Sequence, residues 1–506
     1  MTLIDMLREA SLKAPKRVFM HKDKEKITFK GTYDNVLMFA RGLKSLGVKK
    51  GDRVAMLLNN SVEFVTAYFA VICLGAEIVP LNTFLRAEEV NYILNDCKAK
   101  IFITSPDFDV LLKDMDLKLV PSVERLISTG RIEKEHILFS EVGINGPDPG
   151  NAAGEDDTAV IIYTSGTTGF PKGAMLTNKN LFSNVEASCE AIKIMEKDRF
   201  IVFLPMFHAF TFTVCVLIPV YKACYVRIMK SVQPFSNIIK SLVFDRITMF
   251  VAIPPVFNVL AGKRIPKIAL WLIKIRVCVS GAAPLSGEVL NKFEKKFGLP
   301  LLEGYGLSET SPVVSVNPFD GVRKAGSVGP PIPRVMAAII DEKGKPVKTN
   351  ETGEIAVKGD NVMKGYLNKP VETAEVIKNG WLFTGDIGRM DEDGYIFIMD
   401  RKKDLIIVNG MNLYPREVEE VLYRHECVEE AAVVGKKDEI HGEIPVGVVK
   451  LREGCAATEP DLKKFCRQHL ANFKVPSKFE FWPQMPKTST GKILKREIKR
   501  IINEKQ

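Results

Sequence analysis

The chain has 506 residues, a net charge of +10, 46% apolar and 26% charged residues, which exceeds one hydrophobic core and fits a globular protein of several subdomains rather than a disordered or fibrous one. No window of ~20 apolar residues is present to span a membrane, and residues 1–13 carry two acids and no apolar core of the kind a secretory signal needs. Nine dispersed Cys and six dispersed His, without a Cys-x-x-Cys or Cys/His cluster, argue for reduced thiols in a cytoplasmic chain and against a structural zinc site.

In chain order, residues 33–46 read as a helix closed by Gly47 and Gly51, 53–58 as a buried strand, 61–74 as a helix and 75–81 as a strand. A helix at 87–96 and a strand at 99–104 follow. Helices of this length between short apolar strands imply parallel sheets covered on both faces. Residues 143–157, with four Gly and two Pro, read as a linker. The alternation resumes with a helix at 178–191, strands at 199–204 and 276–280, and a helix at 286–297. From about 326 short β runs (337–341, 354–358, 395–400) separated by Gly-containing turns read as a small antiparallel barrel or sheet. After the charge cluster 400–404 comes a small α+β unit: helices at 415–424 and 461–470, strands at 428–434, 445–451 and 479–482. The expected division is therefore 1–400 and 401–506, with the boundary at 400–404.

Charge is uneven. Residues 222–276 hold ten Lys/Arg and one acid, Asp245, among apolar runs such as Leu270-Trp271-Leu272-Ile273. Three readings stay open: contact with an anionic membrane surface, a solvated basic face over a buried core, or a mouth for a phosphorylated cosubstrate. Nucleic-acid binding is not expected, since no recognition module accompanies the charge.

The most informative stretch is Tyr163-Thr164-Ser165-Gly166-Thr167-Thr168-Gly169-Phe170-Pro171-Lys172-Gly173, which follows the apolar run Ala159-Val160-Ile161-Ile162. Glycines that free backbone N–H groups, hydroxyl donors and one ammonium are what a polyphosphate needs. The Gly-x-x-x-x-Gly-Lys-Ser/Thr spacing of a P-loop is absent.

This stretch resembles the phosphate loop of the adenylate-forming superfamily, which includes acyl-CoA synthetases, adenylation domains of peptide synthetases and firefly-type luciferases. Further motifs in the family's order extend the resemblance over most of the chain: Glu303-Gly304-Tyr305-Gly306-Leu307-Ser308-Glu309-Thr310, Gly385-Asp386, Asp400-Arg401-Lys402-Lys403-Asp404, Asn409-Gly410-Met411 and Thr490-Gly491-Lys492. It implies a large N-terminal domain of two parallel-type α/β subdomains plus a β-barrel at about 326–400, and a mobile α+β lid hinged near 401–404.

Such enzymes activate a carboxylic acid by joining it to the α-phosphate of ATP. Two anions must meet, and at ~4 Å and an effective dielectric near 20 their repulsion is about 4 kcal/mol. The resemblance assigns Thr164, Ser165, Gly166, Thr167, Thr168 and Lys172 to the β- and γ-phosphates, and Glu309 with Thr164 to Mg²⁺, a hard ion that takes oxygen ligands. Thr310 would bond the α-phosphate. Tyr305, within Glu303, Gly304 and Gly306, would lie on the adenine, and Gly281 with Ala282 would line the adenine and acyl pockets. Asp386 and Arg401 would hold the ribose, Lys403 would be the hinge, and Lys492 the catalytic cation, with Lys487 the other lysine of that loop. Gly410 would let the pantetheine of CoA pass after the lid rotates. His208, closing Leu204-Pro205-Met206-Phe207-His208, would sit near the carboxylate and the thiol. The catalytic set is thus Lys492, His208, Glu309 and Thr164.

Two features bear on the acid. No Asp stands where amino-acid-activating relatives hold the substrate ammonium, and no carrier domain follows Gln506, so a free-standing ligase is expected. Many acyl- and aryl-CoA ligases have Gly three residues after the His, where this chain has Thr211. Apolar walls from Met206, Phe210, residues 251–254 and Gly281 suit a medium- or long-chain fatty acid. An aryl acid, transfer to an acyl carrier protein, or a non-enzymatic acyl- or nucleotide-binding role are the alternatives. Oligomeric state is open, a homodimer included.

Overall fold

The computed structural model describes residues 1–164, 171–262, 272–409, 411–438, 442–487 and 493–504. Two eight-stranded sheets form the bulk of the N-terminal region. One runs Val313–Val316, Leu301–Gly306, Val277–Ser280, Met249–Ala252, Arg199–Val202, Tyr225–Ile228, Val18–Lys22, Glu25–Thr28. The other runs Gly365–Tyr366, Lys172–Thr177, Thr158–Thr164, Glu77–Pro80, Arg53–Met56, Ile101–Thr104, Arg125–Ser128, Ile137–Leu138.

Both sheets are mixed, in keeping with the expected parallel-type α/β subdomains. Their centres are parallel, and antiparallel pairs stand at or next to edges, where short connections permit them. The centres are fully buried, as strands covered on both faces should be: Ile101, Phe102 and Ile103 are inaccessible to solvent, as are Met249, Phe250 and Ala252. The apolar run at 209–221 is a buried helical segment containing a π turn at Thr213–Leu217, and its side chains join the main core.

A five-stranded antiparallel sheet follows, built on the ten-residue strand Trp381–Met390. Asp386 lies within that strand, opposite Arg401 of Ile396–Arg401. Gly385, at φ +72, and an irregular register after Ile387 broke the alternation that would have revealed a strand. The C-terminal sheet is organised on the hairpin Val428–Asp438 and Gly442–Leu451. Helices Pro415–Tyr423, Glu459–His469 and Lys495–Glu504 accompany it, the last burying Ile498 and Ile502.

The structure uses part of the 222–276 charge internally. Arg276 donates from Nη2 and Nε to the two oxygens of Asp198, at 2.5 and 2.8 Å, and Asp198 also accepts from the Thr248 hydroxyl at 2.8 Å. Arg227 lies 3.5 Å from Asp245, and Lys230 pairs with Asp107 at 2.8 Å. The Asp198 side chain is 1% exposed, so its removal strands the Arg276 cation. Asp198→Ala should lower stability by about 3–5 kcal/mol, seen as an earlier denaturant midpoint; an unchanged midpoint would contradict a supporting role for this pair.

Candidate functional site

Strands Thr158–Thr164 and Lys172–Thr177 form a hairpin, with Thr164 opposite Lys172. The glycine- and threonine-rich stretch thus joins the tips of two paired strands; Ser165, Gly166, Thr167 and Thr168 lie outside the described residues. The Thr164 hydroxyl is 3.5 Å from the Lys172 carbonyl. Lys172 directs its ammonium to the ring of Tyr366, 5.4 Å from the centroid.

The next wall is the turn that ends strand Leu301–Gly306. A Cβ on Gly306 would lie 2.0 Å from the Pro312 carbonyl oxygen, so only glycine permits this close return of the chain. Ser311 takes φ +69, a left-handed conformation costly for a side-chained residue. The tight turn presents Glu309, whose carboxylate accepts a hydrogen bond from the Tyr366 hydroxyl at 3.0 Å. It also turns Thr310 inward. The Thr310 hydroxyl is fully buried, 2.6 Å from the Pro312 carbonyl, and accepts the Leu307 N–H at 3.1 Å. The Thr310 hydroxyl, expected at the α-phosphate, is thus engaged by the turn itself in this structure. Ser308, half-buried, has a hydroxyl without a hydrogen-bond partner among the described residues. The signal that could have found it is its place immediately before Glu309 in the motif.

Tyr305, Asp386 and Arg401 meet. The Tyr305 hydroxyl donates to Asp386 Oδ2 at 2.7 Å, and Arg401 Nε lies 3.0 Å from Oδ1. These three residues come from the first large sheet and two strands of the barrel. Below them Glu303 is buried and accepts the Leu285 N–H at 2.9 Å. Burial pushes its carboxyl up to about 7, against the opposing pull of Arg416.

The opposite side carries the acyl-pocket candidates. A Cβ on Gly281 would come within 2.8 Å of the Phe210 ring, so the two residues form one tight wall. Ala282 is exposed at φ +65, a strained conformation for a non-glycine residue. Met206 and Thr211 are buried. His208 caps the helix Ala209–Phe212, its ring centroid 5.0 Å from that of Phe207. Loss of hydration pushes its imidazole down to about 4, leaving it neutral at pH 7.

The C-terminal region is fastened beside these walls through Asp400. Its Oδ2 accepts the Arg416 N–H at 2.7 Å, and Lys495 Nζ is 3.9 Å from Oδ1. Lys495 also pairs with Glu419 at 2.8 Å, and Arg416 Nη1 donates to the Ile398 carbonyl at 2.9 Å. Lys403 follows in the short helix Lys402–Asp404. Gly410 and Lys492 lie outside the described residues. The segments around them are placed: Ile406–Val408 pairs with Met411–Leu413, and Lys487 bridges Ile493 while its ammonium pairs with Glu430 at 2.5 Å.

Hydroxyls and an ammonium at the hairpin, a carboxylate on the adjoining turn and an aromatic–carboxylate–guanidinium set beyond it suit, in sequence, the phosphates, a cation and the nucleoside of one nucleotide; this is the architecture of an adenylate-forming enzyme. Comparison with known proteins agrees. A model described as AMP-binding enzyme matches residues 7–367, and one described as AMP-binding enzyme C-terminal domain matches residues 417–492. A long-chain-fatty-acid–CoA ligase of Bacillus subtilis (strain 168) is 36% identical, over 98% of this chain and 94% of that one. A 2-succinylbenzoate–CoA ligase of Geobacillus kaustophilus is 32% identical, over 99% and 98%. The crystal structure of ATP-bound MatB from Rhodopseudomonas palustris superposes with a TM-score of 0.91 at 29% identity, covering 100% of this chain and 99% of that one. The chain belongs to the AMP-binding enzyme family, and it is an AMP-forming acid–CoA ligase.

The raised Glu303 pKa has a stability consequence. The folded state keeps this proton up to about pH 7, whereas the unfolded carboxyl loses it near 4.5. Stability is then fullest below 4.5 and declines as pH rises through 7, by a difference of about 3 kcal/mol. Glu303→Gln keeps an acceptor for the Leu285 N–H and should flatten that decline in denaturant melts at pH 5 and pH 8; an equal decline in the variant would contradict the assignment.

Proposed function

We propose that the protein activates a medium- or long-chain fatty acid as its acyl-adenylate, releases pyrophosphate, and passes the acyl group to the thiol of CoA. The likeness to the Bacillus subtilis long-chain-fatty-acid–CoA ligase over 98% of the chain carries this reading, and the apolar lining from Met206, Phe210 and Ile253 supports it. A short-pocket aryl acid is the second reading, favoured by the 2-succinylbenzoate–CoA ligase relatives and by the Phe210 ring closed against Gly281.

In this scheme the hairpin loop grips the β- and γ-phosphates, and Lys172 offsets their charge. Ser308, rather than Thr310, donates to the α-phosphate. Tyr305 faces the adenine, while Asp386 exchanges the Tyr305 hydroxyl or Arg401 for ribose hydroxyls. Glu309 is half-exposed, with one oxygen held by Tyr366; its carboxylate and the Thr164 hydroxyl are hard oxygen donors of the kind that fit Mg²⁺. When bound there, that ion would neutralise charge on the departing pyrophosphate. Lys492 supplies the cation between the carboxylate and the α-phosphate. Lys487 is already paired with Glu430, which supports this choice between the two lysines. His208, neutral, lines the path of the carboxylate and the thiol.

We place the domain boundary at 400–404, with residues 401–506 acting as a lid that pivots at Lys403. The Asp400 contacts with Arg416 and Lys495 would hold the lid in the orientation seen, and rotation would exchange them. Ile407 and Met411, exposed apolar residues beside Gly410, are suited to burial against the acyl site once the lid has turned. No helix among the described residues is long and apolar enough to cross a membrane. Phe244, 81% exposed between Lys240 and Arg246, is the point at which we propose peripheral contact with an anionic membrane.

Pyrophosphate release across a panel of acids, with and without CoA, tests the reading. Fatty acids of ten or more carbons should give AMP, pyrophosphate and acyl-CoA; preference for aromatic acids would select the second reading. AMP without acyl-CoA would point to another acceptor. Lys492→Ala should slow adenylation ~10²–10³-fold, the scale for losing a preorganised charge-stabilising group, while thiol transfer to supplied acyl-adenylate persists. Lys487→Ala should change adenylation by less than ~10-fold; the reverse pattern would overturn the assignment.

A further inference from the structure

The segment after residue 362 is stitched to both phosphate-side walls at once. The Met363 N–H donates to the Glu309 carbonyl at 2.8 Å, the Lys364 N–H to the Met175 carbonyl at 2.9 Å, and the Leu367 N–H to the Gly173 carbonyl at 2.8 Å. Tyr366 stands opposite Ala174 in this pairing. Its side chain repeats the connection, with the hydroxyl on Glu309 Oε1 at 3.0 Å and the ring 5.4 Å from the Lys172 ammonium.

We propose that Tyr366 is a positioning residue for nucleotide activation, holding the Glu309 carboxylate by its hydroxyl and the Lys172 ammonium by its ring. This rests on the reading of Glu309 and Lys172 as the cation-side and phosphate-side groups. Opposite charges on adjoining walls tend to pair, and a Lys–Glu ion pair would withdraw both from the substrate. Among the described residues no ion pair joins Lys172 to Glu309. The aromatic face gives the ammonium an attractive seat that is not a carboxylate. The hydroxyl occupies one carboxylate oxygen and sets the direction of the other. A phenol serves both ends; phenylalanine keeps the seat and loses the orienting bond, and leucine loses both.

Mn²⁺, read by electron paramagnetic resonance in the presence of ATP, reports cation binding without turnover. Tyr366→Phe should weaken Mn²⁺ binding ~10-fold, the scale of a hydrogen bond to a charged group, with KM for the acid unchanged and the rate restored by excess Mg²⁺. Tyr366→Leu should additionally raise KM for ATP. The double variant Tyr366→Phe with Glu309→Gln should bind Mn²⁺ no worse than Glu309→Gln alone. Wild-type Mn²⁺ binding in Tyr366→Phe, or additive losses in the double variant, would overturn the proposal. If Glu309→Gln itself left Mn²⁺ binding intact, the reading of Glu309 would fail first, and the proposal with it. Tyr366→Phe keeps the ring and the backbone pairing, so the central comparison does not depend on whether the leucine variant folds.

Discussion

The buried carboxylate of Asp386 is the constraint on which the site depends. It is 4% exposed, and a charge so placed is tolerated only when its oxygens are engaged. Tyr305 engages one from the large sheet, and Arg401 engages the other from the last barrel strand. One side chain therefore registers the large sheet against the barrel where the chain leaves toward the C-terminal region. In the proposed scheme, ribose hydroxyls would replace the present partners without leaving the carboxylate bare.

The walls around it are shaped by close backbone approach. Gly306 lets the chain return onto Pro312, and the turn so formed projects Glu309 outward and folds Thr310 inward. Gly281 admits the Phe210 ring in close contact. Strained residues, Ser311 and Ala282, stand at both turns. Such strain persists only where surrounding structure fixes it, and here the two large sheets supply that rigidity. Next to these walls, polar contacts around Asp400 connect the C-terminal region to the barrel.

Much of this was readable from residues alone. The periodic helices, such as Ala87–Asp96 and Asn178–Ala191, fall where the pattern put them, because long amphipathic runs with polar starts leave little ambiguity. Tyr305 and Asp386 came from motif resemblance, and the structure brings them into contact. The antiparallel edges of the sheets were not legible, since strand direction depends on tertiary pairing rather than on local composition. The strand carrying Asp386 was hidden by Gly385. Residue type alone could not say that, of the neighbouring hydroxyls of Ser308 and Thr310, the turn engages that of Thr310. Tyr366 was missed altogether: it lies 57 positions from Glu309, and only the sheet pairing brings them together. The 222–276 charge excess likewise looked freer than it is, because its counter-charges Asp198 and Asp107 lie outside that segment.

The central claim is that a carboxylate oxygen and the α-phosphorus of ATP become bonded between these walls. Isotope transfer tests it directly: acid labelled with ¹⁸O in the carboxylate is turned over with ATP and CoA, and the phosphorus products are read by mass spectrometry. The account predicts one ¹⁸O in the phosphate of AMP and none in pyrophosphate. Label in orthophosphate alongside ADP would mean attack at the γ-phosphorus and would contradict it.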